Sequence, residues 1–374
     1  MTNNNSDLHF IEQSLSNHSD IGNSLSRPFM TICAEGPEMG INILPDELMI
    51  HLFKFLPLTS LITCESVCLR WKKIAGDPVL WRKITIVYSG KPGQSEVSEK
   101  NLEIILTHRN LIRNLRVQYV YSYSVIKDVI EESCNLISLE LVMCRISKEF
   151  EKHILKWPKL RKISLKNSIV LDTGTEISID FSKFQDLSYL ALSDFGLSPV
   201  NCYGLLQCNN LCHIYIEKIK TLELSYIKDL IISKQHIVVT LHIYGGSSVD
   251  DSCLQLLAKC TNLKDLAIIR SENLTDDGLV ALESLKNVEH LQIWNNNNFT
   301  EKKLLRTLSN PNIVTLKSLS LSRIQNITPV IVDVISEYYK RLKFLALYQC
   351  VRIINTDYEK QLKSKFRNIE VVLY

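Results

Sequence analysis

Leu263-Lys-Asp-Leu266-Ala-Ile268 reads as one aliphatic residue, two free positions, a second aliphatic, one free position and a third aliphatic. The same pattern is written eleven times between Ile112 and Tyr374. The other copies open at Ile112, Leu136, Leu160, Leu187, Leu211, Val238, Val288, Leu316, Leu342 and Ile369, so successive copies start 24 to 28 residues apart, and the last closes on Tyr374 in place of an aliphatic. Self-similarity at this period predicts a solenoid, because each unit has a single apolar face that stays wet until a neighbour covers it. The expected class is α/β, a horseshoe with short parallel strands inside and helices outside.

The residues between the copies agree. Asp250-Asp-Ser-Cys-Leu-Gln-Leu-Leu-Ala-Lys-Cys260 and Thr275-Asp-Asp-Gly-Leu-Val-Ala-Leu-Glu-Ser-Leu285 each start with a good N-cap, followed by acids where the helix dipole is positive. Upstream, Trp81-x-x-Ile84-x-Ile86 has the same spacing and is read as a divergent first strand. Between it and the array, Ser89 to Lys100 reads as a polar excursion turning at Gly90, Pro92 and Gly93.

Side chains alternate along a strand, so positions between the buried aliphatics face the concave surface. The position after the third aliphatic runs Gln118, Val142, Lys166, Ser193, Glu217, Tyr244, Ile269, Trp294, Ser322 and Tyr348. The position between second and third aliphatics runs Arg116, Glu140, Ser164, Ala191, Tyr215, His242, Ala267, Gln292, Ser320 and Ala346. Repeats five to eight thus gather Tyr215, His242, Tyr244, Ile269 and Trp294 on one face, with Tyr348 further along. Exposed aromatics in a contiguous group mark a surface that holds a protein; the competing reading is that the rings pack within the solenoid. Arg116, Lys162 and Lys166 make the early repeats mildly basic, which suits an acidic partner segment or is simply solvated.

Ahead of the array the texture changes twice. Residues 1–39 are rich in Asn and Ser with isolated apolar residues, the composition of a disordered arm. Residues 40–87 are dense in apolar residues at helical spacing. Pro45 suits a first helical position, with Asp46 and Glu47 in the first turn; Leu48, Leu52, Phe55 and Leu56 then form one face, and Pro57 ends the helix. A second helix is expected from Leu58 to Cys64, and a third carrying Val67, Cys68, Trp71 and Ile74 up to Gly76-Asp77-Pro78. The third segment, residues 88–374, is the solenoid.

Leu44-Pro45-Asp46-Glu47-Leu48, then Leu52-Phe53 and Leu56, Leu61, Val67-Cys68 with Arg70-Trp71, and Leu80-Trp81 closely resemble the F-box, the adaptor-binding motif of substrate receptors in SCF (Skp–cullin–F-box) ubiquitin ligases. With the repeats behind it, which resemble the cysteine-containing subclass of leucine-rich repeats, the chain looks like an F-box/leucine-rich-repeat protein. The resemblance implies that Leu44, Pro45, Glu47, Leu48, Leu52, Phe53, Leu56, Leu61, Val67, Cys68, Trp71 and Trp81 serve the adaptor subunit, and through it cullin and RING subunits. Tyr215, His242, Tyr244, Ile269, Trp294 and Tyr348 would then hold a protein substrate. Periodicity alone favours reading the helical segment as a cap over the first repeat, and the chain as a scaffold or inhibitor.

Composition narrows the remaining classes. Of 374 residues 45% are hydrophobic and 22% charged, with a formal net charge of +3, so nucleic-acid binding is not indicated. The first thirty residues hold no signal-like apolar run and no long uncharged span suits a membrane, so a cytosolic or nuclear protein is expected. Eleven cysteines without a CxxC pair argue for reduced core thiols rather than disulfides or zinc. No phosphate-binding loop or nucleophile elbow occurs, and neither His213, His242 and His290 nor Cys64 and Cys68 show a catalytic spacing, so no enzyme activity, metal or cofactor is expected.

Overall fold

Each copy of the aliphatic pattern forms a strand in the computed structural model, which describes residues 40–88, 99–170, 176–177, 179–193, 196–197, 199–217, 223–244, 248–310 and 315–373. The expected arm at residues 1–39 and most of the polar excursion, 89–98, lie outside the described residues. From Asp46 to Tyr374 the chain is one unit; the short 3-10 turn Ile41–Ile43 before it is described by itself.

The strands are β1 (Lys83–Val87), β2 (Asn114–Gln118), β3 (Ser138–Val142), β4 (Lys162–Lys166), β5 (Tyr189–Ser193), β6 (His213–Glu217), β7 (Thr240–Tyr244), β8 (Asp265–Ile269), β9 (His290–Trp294), β10 (Ser318–Ser322), β11 (Phe344–Ala346) and β12 (Glu370–Val372). They form a single 12-stranded parallel sheet in sequence order. The divergent Ile84-x-Ile86 is its first strand, Ile84 standing opposite Leu115. Register never slips: Leu241 faces Leu266, which faces Leu291, which faces Leu319. A one-residue slip would turn every aliphatic to the wrong side.

Between strands the chain crosses back through the helices. These are α1 (Asp46–Phe53), α2 (Leu58–Cys64), α3 (Leu69–Ala75), α4 (Pro78–Trp81), α5 (Glu99–Thr107), α6 (Lys127–Glu132), α7 (Glu149–Ile154), α8 (Pro199–Leu206), α9 (Leu224–Lys234), α10 (Asp251–Leu257), α11 (Asp276–Leu282), α12 (Glu301–Leu308), α13 (Pro329–Tyr338) and α14 (Asp357–Lys365). The core lies between sheet and helices, where Leu139, Leu141, Ile163, Leu165, Leu190 and Ile216 are fully buried.

Three ladders hold neighbouring units together. After the strand, Tyr119, Met143, Asn167, Arg270, Asn295, Arg323 and Gln349 take left-handed φ values of 50 to 59°, a conformation that costs a non-glycine residue roughly 1–2 kcal/mol. The turn offsets this cost by aiming the amide at the next unit, as in Arg270 N to Trp294 O at 3.0 Å and Asn295 N to Ser322 O at 2.9 Å. One position ahead of the first aliphatic, Asn135, Asn262 and Asn287 donate from Nδ2 to the carbonyls of Asn110, His236 and Thr261 in the preceding unit, at 2.7, 2.6 and 2.7 Å. On the convex side the N-cap threonines of α11 and α12 are each clamped by an acid of the helix before. Asp251 accepts from the amide and hydroxyl of Thr275 at 2.8 and 2.6 Å, and Asp276 does the same for Thr300.

Buried polar groups have specific work. Lys234, 1% exposed, donates to the carbonyls of Leu206 and Cys208 at 2.9 and 2.8 Å, satisfying groups left open at the end of α8. Burial lowers its pKa. Burial also pushes the thiols of Cys202, Cys208, Cys253, Cys260 and Cys350 up to about 11, away from thiolate chemistry.

The N-terminal helices follow the expected order with two shifts. The first ends at Phe53 and the chain turns through Lys54 to Leu56 before Pro57; the third starts at Leu69, because Cys68 is its N-cap, the sulfur accepting from the Trp71 amide at 3.5 Å. Arg70 pairs with Asp46 across α3 and α1 at 2.8 Å, and Phe53 meets Trp71 edge-on at 5.3 Å. Trp81 joins these helices to the sheet. Its indole is fully buried, donates to the Ala75 carbonyl at 2.7 Å and stacks on His108 at 3.8 Å, while His108 Nε2 lies 2.6 Å from Glu65 Oε1.

Two outcomes are expected. Trp81→Ala removes a fully buried indole at this junction, so unfolding in urea should show a loss of about 3–5 kcal/mol; a loss below 1 kcal/mol would mean that the helices and the sheet do not unfold together. The second concerns His153, whose imidazole contacts Tyr123 Oη at 2.8 Å and pairs with Glu131. Burial lowers its pKa from the usual 6.5 despite the nearby Glu131 charge. The unfolded chain therefore takes the proton first, and this contribution to stability is whole above that pH and falls as pH drops towards the folded value. The urea midpoint should be lower at about pH 5 than at about pH 7.5, with a smaller difference in His153→Gln.

Candidate functional site

Two surfaces carry side chains that the core does not account for. The first lies on the N-terminal helices. Their interior is filled by Met49, Phe53, Leu61, Ile62, Ile74, Ala75, Leu80 and Trp81. The stripe read as one helix face, Leu48, Leu52, Phe55 and Leu56, points the other way and is 51, 42, 75 and 37% exposed. Val67 and Leu69 add 56 and 88%. Six apolar side chains on a unit of this size amount to a surface made to be covered.

The placement corrects part of the sequence reading. Phe53, Leu61 and Trp81, expected at the adaptor face, are buried in the helical core and cannot touch a partner without unfolding it. Trp71 is half-buried against Phe53. Glu47, Leu48, Leu52, Leu56, Val67 and Cys68 are exposed, as is Pro45, with Leu44 half-buried. Phe55 and Leu69 belong to the exposed set and were absent from the expected site; Phe55 lay in the same stripe, whereas nothing in the local pattern singles out Leu69.

The second surface is the concave face of the sheet. Parallel register aligns the free positions into rows. One row runs Ala191, Tyr215, His242, Ala267, Gln292 and Ser320, and the next Ser193, Glu217, Tyr244, Ile269, Trp294 and Ser322. Tyr215 and His242 meet edge to face at 4.6 Å, and Tyr244, Ile269 and Trp294 stand on consecutive strands. All five are half-buried, so the rings lie on the floor with one side open. Trp294 is pinned by its indole N–H, which donates to Ser320 Oγ at 2.6 Å. Tyr244 and Tyr348 each carry an arginine over the ring, Arg270 at 5.3 Å and Arg323 at 5.5 Å. Tyr348 stands apart, two residues beyond Ala346, whose neighbour is Ser320.

A third row, which the two free positions counted from the sequence do not include, lies beside them. The position before the second aliphatic shares this face and runs Lys162, Tyr189, His213, Thr240, Asp265 and His290. It adds Tyr189 beside Tyr215 at 5.1 Å, the His213 Nδ1 to Thr240 Oγ1 contact at 3.0 Å and the His242–Asp265 pair at 2.9 Å. Counting back one residue from the central aliphatic finds all of these. Burial raises the Tyr215 pKa, so its phenol is neutral at physiological pH.

Among the described residues no group of three or more His, Cys, Asp or Glu is placed to hold a metal ion, and no helix is long and apolar enough to cross a membrane.

Residues 41–87 match the family model described as F-box-like. That segment is F-box-like, and the chain is similar to F-box/leucine-rich-repeat proteins. Human F-box only protein 33 is 29% identical over 97 residues, 26% of this chain and 16% of that protein; bovine F-box/LRR-repeat protein 21 is 31% identical over 110 residues, 28% of this chain and 23% of that protein. The chain thus matches less than a quarter of the length of either relative. Across the fold, a chain in the crystal structure of the yeast Rad7 and Elc1 complex superposes with a TM-score of 0.50 at 14% identity, covering 82% of this chain and 89% of its own length. That likeness speaks for the repeat fold alone.

The difference between floor and core is measurable. Ile268→Ala, in the buried row, should lower the unfolding free energy by about 2–5 kcal/mol, and Trp294→Ala or Tyr244→Ala, on the concave floor, by no more than about 2 kcal/mol in urea denaturation. Equal losses would place the two rings in the core.

Proposed function

We propose that this chain is the substrate-recognition subunit of an SCF-type ubiquitin ligase. The F-box helices dock on the Skp-type adaptor, which links the chain to cullin and RING subunits, and the concave face of the repeats holds a protein to be ubiquitinated. The observation that carries this reading is the outward stripe of Leu48, Leu52, Phe55, Leu56, Val67 and Leu69 on helices whose own interior is already full. A segment serving only as a cap would turn those residues towards the first repeat. Trp81, His108 and Glu65 do close that junction, and the stripe is surplus to it.

The chemistry asked of this chain is positioning. A target held on the floor and an adaptor held on the F-box are joined by one continuous sheet-and-helix unit, so a lysine of the target is presented at high effective concentration to the charged conjugating enzyme. No side chain of the receptor takes part in bond formation.

Retention of adaptor and cullin by the tagged full chain tests the reading. The wild type should retain both, and Leu48→Asp/Leu52→Asp or Leu44→Ala/Pro45→Ala should reduce retention at least tenfold, about 1.4 kcal/mol or more, with melting temperature unchanged for the exposed positions. Failure of the wild type to retain the adaptor, or indifference to these substitutions, would leave a scaffold or inhibitor solenoid. Trp294→Ala and Tyr244→Ala should retain the adaptor and lose targets that the wild type captures.

A further inference from the structure

On β4 to β6 the concave floor holds a group of side chains that neither the ladder nor the core requires. Lys162 Nζ lies 4.6 Å from the centroid of the Tyr189 ring, and Lys166 Nζ 5.1 Å from that of Tyr215. The two rings are themselves 5.1 Å apart. His213 approaches Tyr189 at 6.2 Å and His242 closes the far side of Tyr215 at 4.6 Å. An ammonium held over an aromatic ring no longer wanders like a surface lysine; its head has a place.

The two lysines differ in what they have left to offer. Lys162 pairs with Glu140 at 2.8 Å, whereas among the described residues no carboxylate is paired with Lys166, whose contact is the Tyr215 ring. Arg116 adds a further exposed cation on β2. On the other side Asp265 is engaged by His242, and Glu217 stands in the row of Tyr244 and Trp294. The floor therefore has a polarity: a positioned cation over β6, to which no carboxylate is paired among the described residues although Glu217 stands on the same strand, then aromatic and aliphatic surface out to Trp294 on β9.

We infer that this floor receives an extended acidic segment of the captured protein, one carboxylate side chain on Lys166 and a bulky apolar side chain on Trp294 and Ile269. The inference rests on the substrate-receptor reading and names the chemistry of the target. Spacing follows from the sheet. The Lys166 head sits over β6, three strands from β9, which is about 14 Å at the usual inter-strand distance, or about four residues of extended chain.

The test is fluorescence anisotropy of the full chain with labelled peptides of about twelve residues, in which one Glu precedes one Trp by two to eight positions. Matched peptides carry Gln or phosphoserine in place of Glu. The Glu peptide at a spacing of about four should bind best, its Gln counterpart about tenfold more weakly, and the preference should shrink as salt rises. Lys166→Met keeps an unbranched side chain of similar length and removes the charge; it should abolish the Glu-over-Gln preference, and Lys166→Arg should retain it. Equal binding of Glu and Gln peptides, a preference that survives Lys166→Met, binding of the phosphoserine peptides alone, or no binding below about 1 mM would each overturn the inference. Adaptor retention is measured on the same preparations. Adaptor bound without peptide preference sinks this inference and spares the receptor reading; the reverse result does the opposite.

Discussion

A strand of five residues with a helix behind it has no interior of its own. Everything in this protein depends on the next unit arriving in register, so that Leu241 is covered by Leu266 and Leu266 by Leu291. Hydrophobic burial supplies the drive and is indifferent to alignment within an ångström or two. Alignment comes from polar groups at repeated heights: the left-handed turn residue aiming its amide at the next strand, the Asn one place before the first aliphatic, and the acid that holds the next N-cap threonine. Each is one or two modest hydrogen bonds, and their number makes the array stiff.

The proposed function follows from that stiffness. Because every unit repeats at the same height, residues at free positions line up into rows, and a side chain's neighbours are the same position one repeat earlier and later. A ring at one free position is unremarkable in isolation. Tyr189, Tyr215 and His242 become a surface because three consecutive strands present them side by side. The F-box end obeys the same economy: Trp81 and His108 weld the small helical bundle to the first strand, which leaves the stripe from Leu48 to Leu69 for something outside the chain.

Much of this was legible from residues alone. The period of the aliphatic pattern marked all the repeat strands, the divergent first one included, and the Leu-Pro-Asp-Glu-Leu entry with the Cys-x-x-Trp helix marked the F-box. What misled was the assumption that a motif residue is a contact residue. Phe53, Leu61 and Trp81 are part of the F-box signature because the fold needs them inside, and a linear pattern does not separate the face a helix buries from the face it offers. Helix α1 shows why: Leu48 and Leu52 are spaced for one face and Met49 and Phe53 for another, both apolar, and only the packing of α2 and α3 decides which goes in. On the concave side, two of the three outward positions were counted, and the omitted one held Tyr189 and His213.

The sequence by itself determined the architecture, because a hydrophobic period of this length has one way to bury itself, and it determined the class of the N-terminal segment through residue types that a small helical bundle needs. Only the tertiary structure decided the surfaces. Which apolar stripe is surplus, which lysine is already paired and which is set over a ring, and which rows lie next to each other depend on contacts between residues distant in sequence, Lys162 with Glu140 and Lys166 with Tyr215 among them, and such contacts exist only once the chain has folded.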